Sequence, residues 1–155
     1  MIPITDDVEV FDNLRKPVNL DERSKRIETA KSLYPYYGAT GQTGLIDDYL
    51  FDGEYVLLGE DGAPFLDKYG SKAYLITGKT WVNNHAHVLK SKTNNKFLMY
   101  YLNWFDYFNY VSGTTRLKLN QAKLKKIPFP NIPLSIKNEI VLFIESAFKI
   151  LDSIY

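Results

Sequence analysis

The glycine-rich segment 38–44 carries the first side chains whose types could do chemistry. Its three glycines within seven residues permit a tight turn, from which Thr40, Gln42 and Thr43 could donate to phosphate oxygens or base edges. The segment lacks the Gly-Lys-Ser/Thr ending of a P-loop and the glycine spacing of a dinucleotide-binding loop. A site for ATP or a dinucleotide is therefore not expected here.

Planar side chains elsewhere in the chain could read bases directly. Asn83 and Asn84 offer carboxamides, which like that of Gln42 can pair bidentately with adenine, and Arg116 offers the guanidinium that suits guanine. One well-placed bidentate pair discriminates against the wrong base by about 1–3 kcal/mol. These residues are therefore the candidates for reading bases, should the partner be a nucleic acid.

Positive charge is concentrated in the second part of the chain, although the net charge is only +1. Residues 1–89 carry 9 Lys and Arg against 14 Asp and Glu, whereas residues 90–155 carry 10 against 4. Lys92, Lys96 and Lys118 belong to this basic part and are predicted to attract phosphates. DNA-binding domains often have an isoelectric point above ~9, whereas that of this chain is 7.8. Charge alone therefore does not identify the partner.

Catalytic and metal-binding patterns are weak. The absence of cysteine excludes disulfides, thiolate zinc sites and thiol nucleophiles. His85 and His87 would share one face of a strand and could form a metal pair, which leaves a small metal-dependent hydrolase as an alternative function. Neither an HExxH motif nor a third histidine accompanies them, so structural hydrogen bonding is the favoured interpretation.

Short apolar runs between glycines must form the elements that position these loops. The length of 155 residues and an apolar content of 45% predict one globular domain. Strand-like runs lie at 36–37, 55–58, 73–76, 81–82 and 87–89, while residues 1–30 are weakly patterned, with a short helix or a solvated loop at 21–26. This texture predicts a sheet or barrel whose connecting loops carry the recognition residues.

Helices are predicted mainly in the second half. The spacing predicts a helix over 96–111, a strand over 114–119, a short turn capped by Asn120 and a last helix over 134–155. The last helix repeats apolar residues at the four- and three-residue steps of a coiled-coil seam, namely Ile140, Ile144, Ala147, Leu151 and Ile154. That helix either packs on its own domain or also pairs with a partner helix.

Targeting signals are not evident. The apolar runs are far shorter than the 18 or so residues that a membrane span requires, and the amino terminus does not resemble a signal peptide. We therefore expect a soluble, cytoplasmic protein without a membrane partner.

Four blocks of sequence, in order along the chain, resemble the target recognition domains of type I restriction–modification specificity subunits. They are Tyr-Pro-Tyr-Tyr-Gly-Ala-Thr-Gly at 34–41, Tyr-Val-Leu-Leu-Gly-Glu-Asp-Gly at 55–62, Trp-Val-Asn-Asn-His-Ala-His-Val-Leu at 81–89, and Ser-Gly-Thr at 112–114 with Leu-Asn at 119–120 continuing to Ile-Pro-Phe-Pro at 127–130. Together with the helix that begins at Leu134, the resemblance covers about residues 34–150.

The resemblance implies an α+β fold: a compact, twisted, β-sheet-rich recognition domain with packed helices and a carboxy-terminal spacer-type helix. It divides the chain into a DNA target recognition domain at 1–133 and a spacer or dimerisation helix at 134–155, truncated relative to the family. Full specificity subunits resemble two such domains joined by two long helices, so the chain is expected to be a half-subunit or a fragment.

The family's function implies a non-catalytic protein that reads one half of a bipartite target in double-stranded DNA. Its expected partners are the DNA methyltransferase (modification) subunit, the restriction subunit, and a second recognition domain or a second copy joined through the last helix. S-adenosylmethionine, ATP and Mg²⁺ are expected on the partner subunits, with no cofactor bound by this chain. A protein-binding adaptor with a tyrosine-rich surface is the main alternative, for which high salt should barely affect affinity.

Overall fold

Ten strands and four α-helices follow one another in the computed structural model, which describes residues 1–155. The strands are β1 (Ile2–Pro3), β2 (Val8–Val10), β3 (Tyr34–Gly38), β4 (Gly41–Ile46), β5 (Phe51–Asp52), β6 (Tyr55–Gly59), β7 (Ala73–Ile76), β8 (Lys79–Val82), β9 (Ala86–Ser91) and β10 (Pro128–Phe129). The helices are α1 (Leu20–Glu28), α2 (Asn95–Trp104), α3 (Gln121–Leu124) and α4 (Leu134–Ile154), and single 3₁₀ turns occupy Ile4–Asp6 and Asp12–Leu14.

Two four-stranded sheets form the centre of the molecule. The first has the order β2-β9-β6-β7 and is antiparallel throughout. The second has the order β4-β3-β8-β5, in which β3 and β8 run parallel and the other neighbours antiparallel. A short ribbon of β1 and β10 brings the amino-terminal residues to the segment before α4. The α+β class predicted from the sequence is confirmed.

Strand β6 shows why the two sheets stack. Val56 and Leu58 belong to the hydrophobic cluster that packs against α2, whereas Leu57 between them belongs to the cluster that includes Val82 of the second sheet. Successive side chains of a strand point to opposite faces, so an uninterrupted apolar run fits a strand that is covered on both sides. The resulting layers are α2, the first sheet, the second sheet and α1.

Helix α1 covers the outer face of the second sheet. Asn19 caps it by accepting a hydrogen bond from the Glu22 amide, and the guanidinium of Arg23 lies 4.3 Å from the ring centre of Tyr36. Tyr36 is buried and its hydroxyl donates to the Val18 carbonyl oxygen, as expected for a core residue. Of the two predictions for 21–26, the short helix is therefore correct.

Helix α2 begins where the sequence predicts and ends seven residues earlier. Asn94 caps it through a hydrogen bond from the Phe97 amide, but Phe105 is extended, so the predicted helix to Val111 is wrong. The reason is Tyr107, which is fully buried and donates its hydroxyl to the Leu102 carbonyl oxygen. Burying this ring requires the chain to turn back under the helix end.

The predicted strand at 114–119 is also wrong, because this segment forms a loop. Its ends are closed by mutual backbone hydrogen bonds between Ser112 and Lys118, and Gly113 has a positive φ of +100°. Asp61 and Lys118 form an isolated bridge, so the loop pairs with the segment after β6 and not with a sheet.

The last two helices follow the sequence predictions closely. Asn120 caps α3 by accepting from the Lys123 amide. The first half of α4 packs on the domain, where Lys137 and Val141 are buried, and its second half is largely exposed. No helix, α4 included, has the uninterrupted apolar length that crossing a membrane requires.

Candidate nucleic-acid interface

A polar cleft of about 480 Å³ lies where four separate segments of the chain converge. These segments are the β3–β4 hairpin, residues 61–62 after β6, the turn before β9 and the 112–119 loop. The cleft is lined by Gly38, Ala39, Thr40, Thr43, Asp61, Gly62, Asn83, His85, Thr115 and Arg116. The structure therefore brings together four of the side chains selected from the sequence, Thr40, Thr43, Asn83 and Arg116.

The β3–β4 hairpin presents its threonines through a tight turn. Gly38 pairs with Gly41 across a two-residue connection, and the positive φ of +136° at Gly41 requires glycine. Thr43 sits at an irregularity in the register, since Tyr36 pairs with Gly44 but Tyr37 pairs with Gln42. Such a bulge redirects a side chain, and here it places Thr43 in the cleft.

The turn before β9 is fixed by Asn83. Its side-chain oxygen accepts a hydrogen bond from the His85 backbone N–H at 2.8 Å, and the Asn83 backbone N–H donates to the Tyr37 carbonyl oxygen at 3.0 Å. Gly38 leaves room for the Asn83 side chain beside the hairpin, because a Cβ at position 38 would lie only 3.1 Å from the Asn83 side-chain nitrogen. Asn83 is only 9% exposed, so its neighbour Asn84, which is exposed, has the freer carboxamide.

Asp61 joins two walls of the cleft. One of its carboxylate oxygens lies 2.7 Å from His85 Nδ1 and accepts a hydrogen bond from Arg116 at 3.2 Å. The surrounding backbone is paired as well, since Leu119 donates to the Glu60 carbonyl oxygen and Gly62 donates to that of Leu117. The 112–119 loop is therefore held against the segment that follows β6.

A buried polar network supports the cleft from behind. Asp12 accepts from the Val88 amide at 2.9 Å and lies 2.6 Å from His87 Nδ1, while His87 Nε2 lies 2.6 Å from the Leu119 carbonyl oxygen. Arg15 pairs with Glu60 and donates to the Ala86 carbonyl oxygen. Burial raises the pKa of Asp12, but the hydrogen bond and charge of His87 outweigh it and hold that pKa below its usual value.

The predicted histidine pair on one strand face is wrong. His85 precedes β9 in the turn and turns toward Asp61, whereas His87 lies inside the molecule with both ring nitrogens engaged. Asp12, Glu60 and His87 do place potential ligand atoms within 4.8 Å of one another. Arg15 contacts both carboxylates, so a guanidinium already supplies the positive charge that a metal would bring.

The remaining predicted contact residues lie outside the cleft. Lys92 and Lys96 follow the other end of β9, a strand about 20 Å long at roughly 3.3 Å per residue, and Lys96 pairs with Glu145 at 2.7 Å. Lys118 is near the cleft, 4.0 Å from Glu60. Gln42 is exposed beside the hairpin turn, and its carboxamide donates to the Gly44 carbonyl oxygen.

Sequence reasoning missed Asp61, His85 and Thr115 as cleft residues. Asp61 lies in a Gly-Glu-Asp-Gly run, which by its residue types is typical of a turn. No local signal in the chain connects it with Arg116, 55 positions later. The contact follows from the pairing of the 112–119 loop with the residues after β6.

Helix α4 carries two apolar surfaces. Ile140 and Ile144 border a groove against α2 that Phe97, Tyr100 and Trp104 complete. A second line of side chains along the helix is exposed or half-buried and again has four- and three-residue steps, and we call it the α4 stripe: Ile136, Ile140, Phe143, Ala147, Ile150 and Ile154. It shares Ile140, Ala147 and Ile154 with the seam predicted from the sequence.

The sequence of this chain is similar to those of known proteins. The family model described as type I restriction modification DNA specificity domain matches residues 17–154. A Haemophilus influenzae protein described as a type I restriction enzyme specificity subunit, S.HindORF215P, is 38% identical over 154 residues, which are 98% of this chain and 36% of that protein.

Two solved structures share the fold. The type I restriction-modification S subunit from M. genitalium has a TM-score of 0.64 at 16% identity, over 93% of this chain and 38% of that chain. A structure solved to explain complex assembly and conformational transition of the type I R-M system has a TM-score of 0.68 at 12% identity, over 99% and 39%. This chain thus spans less than half of each relative's length. The chain is a member of the type I restriction-modification DNA specificity domain family.

Proposed function

We propose that this chain recognises one half of a bipartite sequence in double-stranded DNA and directs a restriction–modification complex to it. The observation that carries the proposal is the polar cleft, where hydroxyl, carboxamide and guanidinium groups from three segments converge beside the Asp61 carboxylate of a fourth. Family membership supports the same function. Since the chain covers 36% of its Haemophilus relative, one half-site is the share of recognition that we assign to it.

The cleft suits base reading because its donors are held by the fold. Arg116 is 62% exposed and is anchored at one end by Asp61, so its remaining N–H groups are available to guanine. Thr40 and Thr43 project from a hairpin whose Gly38 carbonyl oxygen accepts a hydrogen bond from the Tyr74 hydroxyl. Asn84 and Gln42, which are exposed outside the cleft, offer carboxamides for adenine. Lys118 near the cleft, with Lys92 and Lys96 farther along the surface, would contribute attraction to phosphates.

In this proposal the chain itself performs no chemistry. The modification subunit would transfer the methyl group with S-adenosylmethionine, and the restriction subunit would use ATP and Mg²⁺. The second structural neighbour, which was solved to explain complex assembly of the type I R-M system, supports such partners. The chain's part is to choose the DNA sequence on which they act.

We further propose that the α4 stripe pairs with a partner helix, either of a second recognition domain or of a second copy of the chain. Phe143, Ile150 and Ile154 are 76%, 62% and 67% exposed, which is typical of an apolar face that another helix covers. Pairing there would fix the separation of two half-sites.

Selection of duplexes from a randomised DNA library by the purified chain tests the reading function. The unaltered chain should enrich one short sequence, and Arg116→Ala should lose discrimination at one base pair by about 1–3 kcal/mol. Gln42→Ala tests the carboxamide outside the cleft, and Lys149→Ala removes one positive charge from exposed α4 as a control.

Unchanged base preference in both Arg116→Ala and Gln42→Ala would show that neither residue reads a base. If the chain enriches no duplex but binds a protein with an affinity that high salt barely changes, the protein-binding adaptor would be favoured.

A further inference from the structure

We propose that Asp61 determines specificity by positioning Arg116, so that the direction in which this arginine meets a base is set before DNA binds. The inference rests on the proposed reading function and deepens it. Asp61 is treated as a positioning residue because it acts through Arg116.

The contacts of Asp61 carry the argument. A single carboxylate oxygen lies 2.7 Å from His85 Nδ1 and 3.2 Å from an Arg116 terminal nitrogen, while the other oxygen makes no hydrogen bond within the chain. Asp61 therefore connects the wall of the cleft that contains His85 with the wall that contains Arg116. This charge-assisted hydrogen bond holds one end of the guanidinium, whose donors form a rigid planar fork.

Gly62 supplies the surface on which Arg116 lies. Its φ of +74° belongs to the left-handed region, and a Cβ at this position would lie 3.3 Å from Arg116 Nε. The side chain of Arg116 thus runs along bare backbone to reach Asp61. With its end held and its stem supported, the guanidinium loses fewer conformations when it binds a base.

The hydrogen-bond capacity of Arg116 leaves room for a base. A guanidinium has five N–H donors, and the structure uses one of them, toward Asp61. A guanine offers two acceptors, O6 and N7, on its major-groove edge. The same arginine can therefore keep Asp61 and bind guanine bidentately. Without Asp61 it would remain able to contact DNA but would have no fixed direction.

The test compares Asp61→Asn with the unaltered chain by selecting duplexes from a randomised DNA library. Asparagine has nearly the same shape but no charge, so the cleft becomes less repulsive to phosphates while its hold on Arg116 weakens. We expect discrimination to fall about tenfold at the base pair that Arg116 reads, which is about 1.4 kcal/mol. Overall affinity for DNA should stay equal or rise.

The double variant Asp61→Asn/Arg116→Ala separates positioning from an independent contact. If Asp61 acts through Arg116, the double variant should have the same base preferences as Arg116→Ala alone. Glu139→Gln on exposed α4 removes the same charge and should leave the preferences unchanged. Thermal unfolding of each variant reports whether the cleft is still folded.

Four results would overturn the inference. Unchanged discrimination in Asp61→Asn would show that Arg116 needs no support, and additive losses in the double variant would make Asp61 an independent contact. An equal loss at every base pair would assign Asp61 only to folding of the loop. A chain that enriches no sequence before any substitution would overturn the reading function, and this inference with it.

Discussion

At the scale of residues, the buried ring of His87 is the best-defined interaction behind the cleft. Its two nitrogens each lie 2.6 Å from an oxygen, one of the Asp12 carboxylate and the other of the Leu119 carbonyl group. This arrangement connects the 3₁₀ turn after β2, strand β9 and the end of the loop that carries Arg116.

Replacement of Asp12 is expected to make the fold less stable in a pH-dependent way. Because the pKa of Asp12 lies below its usual value of 3.8, the ionised carboxylate stabilises the fold above that pH. The stabilisation is lost as pH falls through the lower, folded value. Asp12→Asn should therefore lower the free energy of unfolding by roughly 2–3 kcal/mol at pH 7. This difference in unfolding free energy from the unaltered chain should become smaller below pH 3.8.

Denaturant unfolding at pH 7 and near pH 3 measures this difference. Asp152→Asn, at an exposed position of α4, is the matched control and should unfold like the unaltered chain. A deficit in Asp12→Asn that is equal at both pH values would contradict a role for the ionised carboxylate.

At the scale of elements, helix starts were predictable and their ends depended on tertiary contacts. Asn94 and Asn120 are good caps by residue type, and both accept the expected amide. The end of α2 depends on the burial of Tyr107, and the 112–119 loop depends on pairing with residues after β6. Neither of these two tertiary contacts can be read from the local sequence. Hydrophobic periodicity does not show which aromatic ring will be buried in the core.

Helix α4 allows a test of pairing that does not disturb its packing. Phe143 lies on the α4 stripe and is 76% exposed, so Phe143→Asp should change the stability of the single chain by less than about 0.5 kcal/mol. If the stripe pairs two copies, the unaltered chain should have the mass of a dimer by light scattering, and Phe143→Asp that of a monomer.

Leu142→Asp is the matched control for this experiment. Leu142 is also exposed, at 65%, but it lies on a different face of α4, so this variant should keep the mass of the unaltered chain. Ile144→Asp is less informative, because Ile144 borders the groove against α2 and its substitution also disturbs the packing of α4. Identical masses for the unaltered chain and Phe143→Asp would contradict pairing of two copies.

At the scale of the whole molecule, folding separates residues that sequence places together and joins others that are far apart. The basic segment that begins at Lys90 is divided, with Lys92 and Lys96 at one end of β9 and Arg116 near the other. The cleft instead gathers side chains from residue 38 to residue 116. Residue type predicted Thr40, Thr43, Asn83 and Arg116, but the place of Asp61 could be known only from topology.

The most direct test of the central claim is to map methylated bases in host DNA with and without this chain, in cells that express the modification subunit proposed as its partner. We expect methylation to appear only when the chain is present, at sites that share one half-site sequence. Methylation that is the same in both cells, or that has no common sequence, would contradict the proposal that this chain selects the DNA target.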